Sequence, residues 1–156
     1  MASILSAIAD IYRRWRHSRG FGVHSPFAYT LVTDALYPPH GYAYYLENDA
    51  RLDSADPSES RQARALYRLA VTLRSGTGAR TDIYLWPEAP KCYRAALILA
   101  GANILASTRP DACAILPGGM EAVRIPTTGG VLTLSGRHLT IIIPGREMAD
   151  TRYTLP

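Results

Sequence analysis

The turn Trp86-Pro87-Glu88-Ala89-Pro90 sits where this chain could best support ligand chemistry, between an apolar run from Asp82 to Trp86 and a helix-like run from Pro90 to Ala100. A first turn between strand and helix is where nucleotide-binding units bring backbone amides against a ligand, and that close approach calls for glycines. Here two prolines lack amide hydrogens and fix φ, so the turn is stiff and poor in donors. Pro117-Gly118-Gly119 follows another apolar run and can admit a ligand beyond the carboxyl end of a strand, or simply turn the chain. Other reactive residues are scattered. His24 and Ser25 suggest a base and a nucleophile, but adjacent side chains seldom face each other and Ser25 is placed to cap a helix. His17, His40 and His138 share no metal-ligand interval, and Cys92 and Cys113 have neither metal-like spacing nor a nearby cluster. The cysteines are expected as buried free thiols in a reducing compartment. Glu88, Asp111 and Glu121 are candidates for one sheet edge. No catalytic set and no metal site emerges.

These residues need a scaffold, and the pattern supplies two textures. Ile4, Leu5, Ile8, Ile11, Tyr12 and Trp15 recur at helical spacing over about residues 2–17 and form an apolar stripe, suited to docking on the domain, on a second subunit or at a membrane interface. Ser25-Pro26 starts a second helix that runs to about Tyr37, where Pro38 and Pro39 stop it. The tyrosines of Gly41-Tyr42-Ala43-Tyr44-Tyr45 then pack a connection. Asp56-Pro57-Ser58-Glu59 combines a cap, a proline at the first helical position and an acid placed to reach back. The helix it opens puts Leu66, Leu69, Ala70 and Leu73 on one face, puts Arg61, Arg64 and Arg68 on another, and ends at Gly76.

From Thr81 onward short apolar runs alternate with Gly and Pro. Strands are expected over Asp82 to Trp86, Asn103 to Ser107 and Ala112 to Leu116, with a helix from Pro90 to Ala100 ended by Gly101. Sequential strands joined through a helix favour parallel pairing. Val131 to Leu134 and His138 to Ile143 flank Ser135-Gly136-Arg137 as an antiparallel hairpin. The prediction is therefore one α/β domain over residues 1–156, mainly helical over 1–76 and α/β over 80–156.

Composition narrows the partners. With 47% hydrophobic residues the chain is not of disordered type, and 156 residues suffice for one core. The net charge of +4 is segregated: Arg13, Arg14, Arg16 and Arg19 lie early, and Glu47, Asp49, Asp53, Asp56 and Glu59 crowd a later stretch. Such stretches can pair within the fold or between subunits, which favours a homo-oligomer or a protein partner. Sixteen arginines beside one lysine, with no nucleic-acid module, argue against nucleic acid. The early apolar run precedes its arginines, the reverse of a signal peptide, and no stretch is long enough to span a bilayer, so a cytoplasmic location is expected.

Gly20-Phe21-Gly22-Val23-His24-Ser25-Pro26-Phe27, followed by a helix, resembles the N-terminal signature of a group of class I SAM-dependent methyltransferase-like proteins common in Bacteroidetes. The resemblance implies a helical N-terminal portion packed on a Rossmann-like sheet, here reduced, that ends in an antiparallel hairpin. It also implies a site for S-adenosylmethionine, and three features of that site are altered. The first loop has prolines instead of glycines, with Glu88 its one acid. The second strand ends in Ile104-Leu105-Ala106-Ser107-Thr108-Arg109, without the acid that would hold the ribose. A later Asp-apolar-Asp-Gly pattern becomes Asp111 to Gly119 with Pro117 in place of the second acid. The expectation is a degenerate, non-catalytic protein without cofactor, retained for association or regulation. The alternative is a divergent SAM-dependent methyltransferase whose cofactor cleft is lined by Trp86, Glu88, Ser107, Gly118 and Gly119.

Overall fold

Asp56 and Pro57 do open a helix. In the computed structural model, which describes residues 8, 12, 31–36, 49–77, 81–120, 125–127, 129–145 and 151–154, helix α1 spans Pro57–Thr77. Asp56 caps it, accepting the Ser58 amide at 2.7 Å through Oδ1 and the Ser60 amide at 3.2 Å through its carbonyl. Glu59 does not bond the cap amide as its position suggested. It accepts the Ser54 hydroxyl instead, and Ser54 Oγ in turn accepts the Asp56 amide at 3.4 Å. The helix runs one residue past Gly76.

Among the described residues the sheet is mixed and has six strands in the order β2-β1-β3-β5-β4-β6. They are β1 (Asp82–Leu85), β2 (Asn103–Leu105), β3 (Cys113–Pro117), β4 (Gly130–Ser135), β5 (Leu139–Gly145) and β6 (Thr151–Thr154). Helix α2 (Lys91–Leu99) joins β1 to its parallel neighbour β2. It closes with Gly101 at φ 80°, where the Gly101 amide reaches Ile98 O and the Ala102 amide reaches Leu97 O, both at 2.9 Å. Strand β3 lies parallel on the other side of β1 and antiparallel to β5, and β4 and β5 form the expected hairpin. Strand β6, parallel to β4, was not expected from sequence.

Alternation along the strands sorts the core onto two faces. Ile83, Leu85, Cys113, Ile115, Leu132, Leu134, Leu139, Ile141 and Ile143 join the main core with the buried faces of α1 and α2. Both helices thus cover the same face, whereas Ala114, Leu116 and Ile142 form a smaller cluster on the other. A π-helical segment (Leu31–Leu36) and a 3-10 turn (Ala50–Leu52) add Leu31, Ala35, Leu36 and Leu52 to the main core. The helix expected up to Tyr37 is therefore helical over its described part.

Arg68 shares an arc of α1 with Arg61 and Arg64 but, unlike them, is buried. It is 7% exposed, and its Nε donates to Ala35 O at 2.5 Å, because the Leu31–Leu36 segment packs over that flank of α1. The acidic stretch pairs locally: Asp49 with Arg51 at 2.8 Å and Asp53 with Arg64 at 2.7 Å. The Asp49–Arg51 hydrogen bond holds the Asp49 carboxyl down at about 2. Of the N-terminal helix, Ile8 and Tyr12 are helical and each is 57% exposed. Its remainder, the Gly20 to Phe27 stretch and the tyrosine run at 41–45 lie outside the described residues.

Candidate functional site

Strands β2, β1 and β3 run parallel and adjacent, so the turns after them emerge at one end of the sheet. Trp86 and Glu88 follow β1, Ser107 follows β2, and Gly118 and Gly119 follow β3. The topology brings all five candidate residues to that end, where ligands of open α/β sheets sit.

Their local geometry is that of a closed chain reversal. The Trp86 amide extends the ladder to Ile115 O at 3.3 Å, and the Ala89 amide returns to Trp86 O at 3.1 Å, closing a β-turn with Pro87 at its second position. The Trp86 ring turns inward. It packs edge-on against Tyr93, with centroids 5.9 Å apart and planes at 74°, and contacts the main core. Glu88 and Ser107 are exposed. Pro90 stands at the cap of α2 and offers its first amides no side-chain acceptor.

After β3, the Gly118 amide donates to His138 O at 3.0 Å and the Gly119 amide to Gly136 O at 3.3 Å. Both amides are spent on the turn between β4 and β5. The packing is so close that a Cβ on Gly118 would lie 2.1 Å from Arg137 O. These glycines thus have a backbone reason to be glycine that involves no ligand.

The acidic edge anticipated for Glu88 and Asp111 does not form. Asp111 precedes β3 and Glu88 follows β1, so in the parallel register of Ile83 with Cys113 they stand at opposite ends of the sheet. Asp111 pairs instead with Arg109 at 2.9 Å, and Arg109 also holds Asp82 at 3.1 Å. Glu121 lies outside the described residues. Among the described residues no group of three or more His, Cys, Asp or Glu is arranged to hold a metal.

A second concave region was not expected from sequence. A pocket of about 230 Å³ opens between α1 and the hairpin, with Arg61, Gln62, Arg64, Arg68 and His138 as its polar wall. Leu36, Ala65, Leu139 and Ile141 supply the apolar wall. The available signal was the spacing of the three arginines, which fall within one arc of α1. His138, expected in a strand, sits exposed just before β5. Its ring nitrogens lie 3.2 and 3.4 Å from Ser58 Oγ. An oxygen nearly equidistant from both nitrogens is off the lone-pair axis of each, so this contact seats the hairpin on α1 and does not activate Ser58.

Comparison with protein-family models, curated proteins and solved structures found no match. The residues themselves therefore carry the functional reading. No helix among the described residues is long and apolar enough to cross a membrane.

Both cysteines are buried. Desolvation raises the Cys92 thiol and pushes that of Cys113 up to about 12, which keeps both protonated and unreactive at neutral pH. A disulfide reagent at pH 8 is expected to leave the native protein unmodified over minutes and to titrate both thiols in denaturant. Rapid native modification of Cys113 would contradict its burial within the sheet.

Proposed function

We propose that this chain is a methyltransferase-like α/β protein that has lost S-adenosylmethionine chemistry and acts in the cytoplasm by association with itself or another protein. The observation that carries this reading is the commitment of the Gly118 and Gly119 amides to the β4–β5 turn. Backbone donors close to the carboxyl ends of the strands are what such a fold offers a cofactor. Here those donors serve the hairpin, while the turn after β1 carries Pro87 and Pro90, which have no amide hydrogen to offer. The mixed sheet and its β4–β5 hairpin, with β6 added at the edge, are compatible with the resemblance of Gly20 to Phe27, and with a fold whose site has been adapted.

One observation favours a divergent SAM-dependent methyltransferase, namely the convergence of Trp86, Glu88, Ser107, Gly118 and Gly119 at one sheet end. Calorimetry separates the readings. Ligand-free protein titrated with S-adenosylmethionine is expected to give no binding heat, whereas tight one-to-one binding would overturn the non-catalytic reading. Light scattering should show a dimer or larger species for a self-associating chain.

A further inference from the structure

We propose that the pocket between α1 and the β4–β5 hairpin binds a small organic anion, an oxyanion head on a short apolar body. It shares no residue with the turns at 86–90 and 118–119, so the inference stands apart from any cofactor reading.

The argument begins with charge. Arg61, Arg64 and Arg68 project along one arc of α1 at spacings of three and four, where like charges repel and destabilise a helix. All three line the pocket, and among the described residues no carboxylate does; Arg68 is 7% exposed and already bonded, so Arg61 and Arg64 carry the charge offered to a ligand. Asp53 pairs with Arg64 at 2.7 Å from outside the lining, and its side chain is 59% exposed, so solvent screens that pair. Arg61 is exposed and has no hydrogen bond or ion pair among the described residues. Its guanidinium can therefore meet a ligand with both of its parallel N–H groups, the geometry that suits carboxylate and phosphate. Gln62 and His138 add hydrogen-bonding groups at the rim.

The rest of the wall selects against a bare inorganic ion. Leu139 and Ile141 belong to the main core and floor the pocket, with Ala65 and Leu36 beside them, all four 7% exposed or less. A ligand with a short alkyl or similarly small body would rest on that floor while its head met Arg61 and Arg64. At about 230 Å³ the space lies below the usual range for drug-sized ligands, so the body must be small. The pocket also touches the turn on which Gly118 and Gly119 are seated, so occupancy would brace the hairpin against α1.

The test uses the intact chain, calorimetry and four probes: hexanoate, hexyl phosphate, hexanol and inorganic phosphate. At least one of the two amphiphilic anions is expected to bind with a dissociation constant of about 1 mM or below. The tighter of the two identifies the preferred head group, and either result supports the site. Binding should weaken as salt is raised, and Arg61→Gln should weaken it about tenfold. Because Arg61 is exposed, that variant should melt with the parent, and His138→Leu provides a second readout from the opposite wall. The proposal fails if neither anion binds at millimolar concentration, if hexanol or inorganic phosphate binds as well as they do, or if Arg61→Gln leaves the affinity unchanged.

Discussion

Ile115→Ala is expected to lower the stability of the fold by about 3–4 kcal/mol, with the melting temperature falling by roughly 10 °C. Ile115 is fully buried in β3, the strand that joins the parallel half of the sheet to the hairpin. It is paired with Leu85 on β1 and Ile141 on β5, both buried on the same face beneath the helices. Truncation removes apolar area and leaves a cavity whose walls are held by two ladders, so little collapse can fill it. Ile98→Ala provides the control. That side chain lies on α2 with 58% exposure, and its loss should cost within about 0.5 kcal/mol. Urea unfolding should show the Ile115 variant with a lower midpoint and an unchanged slope. Equal effects at the two positions would mean that β3 does not hold the two halves together.

Ile115 also illustrates what could be read from sequence. A short apolar run bounded by Pro110 and Pro117-Gly118 reads as a strand. The same logic located β1, β2, the hairpin and α2, because their limits are set by prolines and glycines acting locally. Strand β6 was missed: Thr151-Arg152-Tyr153-Thr154 has strand-forming residues but no flanking turn chemistry, and its pairing with β4 is a tertiary event. The burial of Arg68 was not legible for a related reason. On α1 alone it belongs with Arg61 and Arg64, and only the packing of Leu31–Leu36 against that flank makes it a buried donor to Ala35. The candidate turns were legible as turns, and parallel pairing placed them at one end. Their hydrogen-bond partners were not legible, since Gly118 meets His138 across twenty residues of chain. The arginine pocket is of the same kind, because four of its ten lining residues come from the hairpin.

Gly118→Ala is expected to cost about 3 kcal/mol, and the cause bears directly on what the glycine is for. A Cβ there would stand 2.1 Å from Arg137 O, 2.4 Å from Arg137 C and 2.7 Å from His138 N. All three atoms are backbone, so no side-chain rotation relieves the clash and the hairpin turn must withdraw from β3. Withdrawal strains the Gly118 N to His138 O and Gly119 N to Gly136 O bonds and shifts the turn that borders the arginine pocket. Gly119 supplies the comparison. Its φ is 76°, yet nothing lies within 4 Å of its added Cβ, so Gly119→Ala should cost only the left-handed penalty of about 1–2 kcal/mol. Denaturant unfolding of the two variants therefore separates two explanations of one dipeptide. If the glycines served chiefly to let a cofactor approach, both variants would fold nearly as well as the parent and differ from it in ligand binding. If Gly118 seats the hairpin, it alone becomes severely destabilising, and the loss appears without any ligand present. The second result is expected, because the atoms nearest Gly118 belong to the chain's own backbone.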